Sequence, residues 1–300
     1  MKYRFLLATL LFVTPALGQG FDNVEIKTTE LRPGIHMLEG RGGNIGLCSG
    51  PDGAFMIDDQ FAPLTEKILA AVRGVTDEPL RFVLNTHWHG DHTGGNENLG
   101  EAGVVIVAHE NVRERMSTDQ FMAAFNRNVP AAPAAALPII TFTNGVTFHL
   151  NDEEIRVTHV ELAHTDGDAI VHFRKANVLH MGDTYFNGLY PFIDTGSGGN
   201  IDGMLRAAEV GLRLADAETK IIPGHGPLSD RAGLVRYRDM LRSVRDRIRG
   251  MMGSRASKDE VIAAKPAQDF DDVWGGGFLS ADQFVGIVYD GMRHDGEPDE

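Results

Sequence analysis

Between Asn85 and Gly95 the chain reads NTHWHGDHTGG, with three histidines and an aspartate inside a few residues. Neutral imidazoles side by side gain little from one another, and protonated ones repel. A segment like this needs something that binds its side chains together, so the fold must deliver it to an edge where other polar groups converge. His87 and His89 are two apart, and on an extended segment both point to one side. Asp91 and His92 follow Gly90, where the chain can turn sharply and aim the next pair elsewhere. The spacing suits two neighbouring metal ions better than one. Imidazole and carboxylate are first-choice ligands for zinc, with iron or manganese as second choices.

Three further positions join the pattern. His164 in ELAHTDGD follows an expected strand, Asp183 in HMGDTY ends another beside Gly182, and His225 in IIPGHGP ends a third. All sit where strands stop, which is where open α/β sheets place ligands.

The rest of the chain supplies the scaffold. At 300 residues it is long enough to bury a substantial core. From Val24 to Asp58 strands alternate with the turn signals RPG, GRGGN and SGPDG. A helix with Leu64, Ile68 and Val72 on one face follows, then the strands LRFVLNT and VVIVAHE. NVRERMSTDQFMAAFNRN reads as helical, and ITFTNGVTFHL reads as a hairpin about Asn144-Gly145. EIRVTHVEL, AIVHFRKANVLHMGD and KIIPGHG are further strands, with a helix near Ile201 to Ala215. Leu234, Tyr237, Leu241, Val244 and Ile248 then follow helical spacing, with arginines on the opposite face, and a short helix is expected near the end. Interleaved strands and helices make the chain α/β.

Residues 1–18 have the layout of a secretory signal peptide: basic Lys2 and Arg4, an apolar run, and ALG as a cleavage site near Gly18. The expected location is periplasmic or secreted, with no membrane attachment after cleavage. The formal charge is −14; losing Lys2 and Arg4, with no acid in the first 18 residues, takes it to −16. That balance disfavours nucleic acid as a partner. Cys48 is the sole cysteine, so no internal disulfide forms, and NIGLCSG reads as a buried strand that packs it away.

HxHxDH at His87 to His92, followed in order by His164, Asp183 and His225, resembles the metallo-β-lactamase superfamily of hydrolases from about Val24 to Pro227. The resemblance implies an αββα sandwich of two mixed β-sheets flanked by helices. Residues 19–230 would form that domain, and residues 231–300 a C-terminal helical extension packed on it. It also implies two zinc ions, the first held by His87, His89 and His164, the second by Asp91, His92 and His225. Asp183 would bridge them, as in the glyoxalase II branch; in the best-known dinuclear β-lactamases a cysteine stands at that position. The implied chemistry is attack of a metal-bound hydroxide on an amide or ester carbonyl of a small molecule, with Asp91 and Asp183 in catalytic roles. β-Lactam ring hydrolysis is the expected activity, although no lysine follows Asp183 to clamp a substrate carboxylate. Lactone or ester hydrolysis is the alternative. A mononuclear iron oxidoreductase resembling persulfide dioxygenases is a second one, and a non-catalytic metal-binding protein a third.

Substrate-contacting candidates are Tyr185, as fit for packing as for function, and Asn200, where a turn role is the preferred reading. The GRGGN loop serves either as a flap over the cleft or as a plain turn. Phe121, Met122 and Phe125 form either an apolar wall or a helix's own buried face. Trp88 reads as packing. His36, His109, His149, His159, His172, His180 and His294 have no ligand spacing and read as structural or surface residues. The oligomeric state is left open.

Overall fold

The computed structural model describes residues 20–294, so the segment read as a signal peptide lies outside the described residues. The first sheet contains β1 (Lys27–Arg32), β2 (Ile35–Glu39), β3 (Ile45–Cys48), β4 (Ala54–Ile57), β5 (Leu80–Leu84) and β6 (Val105–His109). A two-stranded ribbon, β7 (Gln120–Met122) and β8 (Arg127–Val129), interrupts it before β9 (Ile140–Phe142) completes the order β1-β2-β3-β4-β5-β6-β9. The second sheet runs in chain order through β10 (Gly145–Leu150), β11 (Glu153–His159), β12 (Ala169–Phe173), β13 (Val178–His180), β14 (Lys220–Ile222) and β15 (Ser229–Asp230). Both sheets are mixed: β4, β5, β6 and β9 run parallel, as do β13 and β14, and the remaining pairings are antiparallel.

Alternation along the strands builds the layers. Phe55 and Ile57 of β4 face Ile155, Val157, Val171 and Phe173 of the second sheet, forming the core between the sheets. Ala54 and Met56, one residue out of phase, turn to the other side and meet Ile68 and Val72 of α1 (Thr65–Arg73). On the far side Ile170, Leu179 and Ile221 receive a helical layer. Strands buried on both faces read as continuous apolar runs, which explains IGLC and AFMI. The result is the αββα sandwich expected.

Three short helices follow in the first half: α2 (Gly90–Thr93), α3 (Asn96–Glu101) and α4 (Glu110–Met116). In the second half come α5 (Ile201–Leu214), α6 (Arg231–Gly253), α7 (Lys258–Ala263), α8 (Asp271–Trp274) and α9 (Ala281–His294). Leu234, Tyr237, Leu241, Val244 and Ile248 of α6 are fully buried in the same cluster as Phe284 and Val288 of α9. The arginines of its other face are engaged by the chain itself: Arg245 and Arg249 pair with Asp202, and Arg242 with Glu209. Among the described residues no helix is long and apolar enough to cross a membrane.

Two local expectations fail. Asn144-Gly145 joins no hairpin: β9 pairs parallel with β6 in the first sheet, while β10 pairs with β11 in the second. The turn signal instead carries the chain from one sheet to the other, because Phe142 gains burial in the inter-sheet core. The helix read from Asn111 stops at Met116. Ser117 and Thr118 hydroxyls both donate to the Glu114 carbonyl, competing with the helix ladder, and the β7–β8 ribbon follows through a left-handed Asn126. Cys48 is buried in the inter-sheet core as expected.

Candidate active site

Each ligand candidate is delivered by a strand end or the turn after it. β5 ends at Leu84, and His87 and His89 follow at its C-terminal edge; Asp91 and His92 lie on α2. Gly90 is not the conformational device it was read to be. It has no left-handed φ, and a Cβ there would meet nothing within 4 Å. The chain turns because a helix starts after an extended His89. Gly182 does carry a positive φ of 51°, and a Cβ would stand 2.7 Å from Thr86 Oγ1. The glycine brings Asp183 against the β5 edge. His164 lies in the loop between β11 and β12, and His225 between β14 and β15.

These seven side chains converge in two groups. The donor atoms of His87, His89, His164 and Asp183 lie within 4.8 Å of one another, as do those of Asp91, His92 and His225. Asp183 stands between the groups: its Oδ1 is 3.1 Å from His92 Nε2, and its Oδ2 is 3.4 Å from His225 Nε2, 3.5 Å from His164 Nε2 and 3.9 Å from His87 Nε2.

The hydrogen bonds on the outer ring nitrogens fix which nitrogen is left bare. His164 Nδ1 donates to the Phe192 carbonyl at 2.8 Å, and His89 Nε2 donates to Asp194 Oδ2 at 3.0 Å. The remaining lone pairs, on His164 Nε2 and His89 Nδ1, then face each other at 2.9 Å. Two lone pairs at that distance repel unless a cation or proton lies between or beside them. His92 Nδ1 donates to Asp58 Oδ2 at 2.8 Å, so its Nε2 also points inward, 3.4 Å from His225 Nε2. His87 Nε2 and Asp183 Oδ1 are buried with no hydrogen-bond partner. An orphaned donor set of this kind fits divalent cations held by nitrogen and oxygen.

The electrostatics agree. Burial pushes His164 down to about 4 and His87 well below the ordinary histidine range, so both are bare bases. Burial also opposes charge on His225, but Asp183 and Asp91 outweigh it and raise the group to about 9. His92 is raised for the same reason by Asp183, Asp91 and Asp58, against burial. Asp183, despite its burial, is held well below the carboxylate range by His225 and His92. The carboxylates around His92 and His225 thus favour positive charge among these donors, which a proton or a cation supplies.

Three aspartates essential to this geometry were missed in the sequence. Asp58 holds His92 and also accepts from Thr86 N and Oγ1. Asp194 holds His89 and accepts from Ser197 Oγ. Asp168 accepts from the backbone of His164 and Thr165, setting the His164 loop; burial pushes it up to about 8. The one signal available in the sequence was position: Asp58 directly follows the apolar strand AFMI, and there it takes a left-handed φ of 63°.

The GRGGN loop is no free flap. Gly43 N donates to Asp91 O, its carbonyl accepts from Gln60 Nε2, and Asn44 Nδ2 donates to Pro223 O and Gly226 O. The two substrate candidates are placed elsewhere. Tyr185 is fully buried with its hydroxyl on Ser229 Oγ and Asn187 Oδ1, and Asn200 caps α5 by accepting from Gly203 N. Each was drawn into local structure, so neither lines the cavity above the metal groups. His180 donates to or accepts from its neighbours as a core filler, between Asn44 O and Gly182 N, and His36, His109, His149, His159 and His172 also stand outside the two groups. The His294 side chain lies outside the described ones.

Above the donor groups lies a cavity of about 710 Å³ with His89, Asp91, Asp183 and His225 in its lining. Its walls are apolar: Phe61, Trp88, Met122, Phe125, Phe192 and Phe278. Met122 and Phe125 thus form the wall weighed for the insert, whereas Phe121, 55% exposed, is outside the lining. Phe278, carried from the C-terminal region after the glycines at 275–277, was not foreseen as a wall. Among the described residues Arg127 is the one lysine or arginine in the lining.

A cluster of histidines and aspartates at one edge of an αββα sandwich defines a class, the metal-dependent hydrolases. The chain belongs to the metallo-beta-lactamase superfamily, whose profile matches residues 38–230. Among curated proteins, the hydroxyacylglutathione hydrolase of Rhodospirillum rubrum is 29% identical over 181 residues, covering 59% of each chain. That of Methylococcus capsulatus is 32% identical over 151 residues, 49% of this chain and 48% of its own. The chain therefore spans about half to three fifths of these relatives' length. Among solved structures, the DIM-1 metallo-beta-lactamase has a TM-score of 0.58 at 22% identity, over 73% of this chain and 99% of its own. The sec-alkylsulfatase Pisa1 from Pseudomonas sp. has a TM-score of 0.66 at 16% identity, over 92% of this chain and 52% of its own.

Proposed function

We propose that the chain is an exported divalent-metal hydrolase of ester-class carbonyls (oxygen esters, lactones or thioesters) bearing an apolar group. The observation that supports this reading is the cavity: an all-histidine-and-aspartate donor set at its base, aromatic walls, and Arg127 as its one lysine or arginine. His87, His89 and His164 would hold one cation and Asp91, His92 and His225 a second, with Asp183 shared. Zinc suits these donors, and iron or manganese also accept them. Such ions lower the pKa of water toward about 7 and polarise a carbonyl oxygen. The protein's own groups do the rest. Asp58 and Asp194 lock the ring orientations. Asp91, its side chain 27% exposed and held ionised by His92 and His225, would accept a hydrogen bond from the attacking water and orient it. Trp88, Phe61 and Phe192 exclude bulk water, which strengthens every charge interaction at the donor set.

β-Lactam ring opening is the second reading. Arg127 favours it, because it can meet the carboxylate of such a substrate where no lysine follows Asp183. The basic start, apolar run and ALG of the first 18 residues support export to the periplasm or beyond. The test is a panel of nitrophenyl acetate, an acyl lactone, an S-acyl thioester and a chromogenic cephalosporin, run with the metal-replete chain and with His164→Ala. Turnover of the ester-class substrates that disappears in the variant is expected. Turnover of the cephalosporin alone would select the second reading. No turnover of any substrate, or one iron per chain with thiol oxidation, would overturn both.

A further inference from the structure

Beside the metal cavity lies another, an open groove of about 600 Å³ lined by the loop Phe192–Gly196, the ribbon tip Ala123–Phe125, and α7 and α9. The two cavities have Phe125, Phe192 and Phe278 in common, so they meet at these three rings. Phe125 and Phe192 stand with centroids 5.0 Å apart, and Phe125 and Phe278 are 48% and 57% exposed. Beyond the rings the apolar part of the lining is Ile193, Ile262, Leu279 and Ile287, with the neutral polar Thr195 and Gln283 beside it. The charged groups there are already engaged, Lys258 with Asp290, Asp282 with Lys265 and Asp194 with His89. Among the described residues no unpaired charge in this lining calls for a polar ligand, and the groove leaves Phe125 and Phe278 without an apolar cover.

We infer that the substrate is an amphiphile whose carbonyl sits at the metal cavity and whose acyl chain passes between Phe125, Phe192 and Phe278 into the second cavity. This rests on the hydrolase reading above. Hydrolysis divides ester and water into a fatty acid and an alcohol: the water oxygen bonds to the acyl carbon, the ester C–O bond breaks, and the proton passes to the departing oxygen. The insert ribbon and the C-terminal helices, which contribute no metal donor, then act together as the acyl subsite.

The experiment has two arms on the full chain. In the first, the metal-replete protein is given acetyl, butyryl, octanoyl and dodecanoyl esters of nitrophenol. We expect kcat/KM to rise by up to about fourfold per methylene, the ~0.8 kcal/mol of burying one. Ile287→Trp, which fills the second cavity, should collapse the dodecanoyl-to-acetyl ratio. Gln283→Trp, from an exposed position on α9, is the second variant should the first fold poorly. In the second arm, calorimetry of the metal-free chain compares decanoate with butyrate, and decanoate should bind at least about a hundredfold more tightly. A flat chain-length profile, or equal affinity for the two acids, would overturn the inference. Decanoate binding without turnover of any ester would keep the acyl subsite and sink the hydrolase reading instead.

Discussion

Gly43 offers the sharpest test of the metal centre, because it touches no substrate and supplies no ligand. A Cβ at this position would stand 2.0 Å from His92 Cε1 and 2.4 Å from His92 Nε2. Its φ is not left-handed, so alanine suits the backbone and the perturbation is purely steric. Neither side gives easily. Gly43 is pinned by Asp91 O and Gln60 Nε2, and His92 is held by Asp58 Oδ2 at 2.8 Å. Ordinary contact begins at 3.4 Å, so relief requires about 1.4 Å of ring displacement, 3.4 less 2.0. A shift of that size takes Nε2 away from His225 and Asp183. Overpacking of this kind costs about 1–3 kcal/mol, which is about tenfold to a hundredfold in affinity for the ion at the Asp91, His92 and His225 site. Gly90→Ala is the matched control. It adds the same methyl group beside the same ligands into open space, and should leave metal binding unchanged while stabilising the chain by about 0.5 kcal/mol. Zinc titration by calorimetry, metal content after dialysis and thermal melts separate the cases. A Gly43→Ala protein that melts normally and binds a second zinc with unchanged affinity would refute the reasoning.

Asp194→Asn removes the charge that orders His89, and should weaken binding at the His87, His89 and His164 site by about tenfold to a hundredfold; wild-type affinity in a zinc titration would show that Asp194 is dispensable. The second site should take up metal with release of protons from His225 and His92, so its apparent affinity should climb with pH through about 9; a pH-independent titration would contradict this. His225 fixes the sign for stability of the metal-free chain. Its folded pKa of about 9 lies above the ordinary ~6.5, so its contribution is complete below about pH 6.5 and lost as pH rises through 9, seen as a falling urea midpoint. Cys48, whose thiol burial pushes up to about 11, should resist thiol reagents in the native protein and react at once in urea; rapid native labelling would place it outside the core. Phe55→Ala, between the two sheets, should cost about 3–5 kcal/mol by denaturant melt, and a loss below 1 kcal/mol would contradict the core assignment.

The parts of this molecule most legible from residue spacing alone are those whose partners lie on the same strand or turn, whereas His164, Asp183 and His225 were placed by their positions at strand ends and by the resemblance. His87, His89, Asp91 and His92 announce themselves because their spacing has no other economical use, and the buried strands IGLC and AFMI because both their faces are covered. The aspartates behind the rings could not be found that way. Asp58 and His92 are 34 positions apart, and Asp194 and His89 are 105 apart, so only the folded sheets bring each pair together. The Asn144-Gly145 signal misled for the complementary reason: a turn preference worth a fraction of a kcal/mol yields to a strand that can bury Phe142 between two sheets. The cavity walls follow the same logic. Phe278 lies far along the chain from the ligands, on a glycine-rich loop that carries no periodicity, and reaches the cavity because α9 packs against α6 and α5. On the proposed reading, substrate choice would reside in the segments with the least local pattern, and the metal chemistry in those with the most.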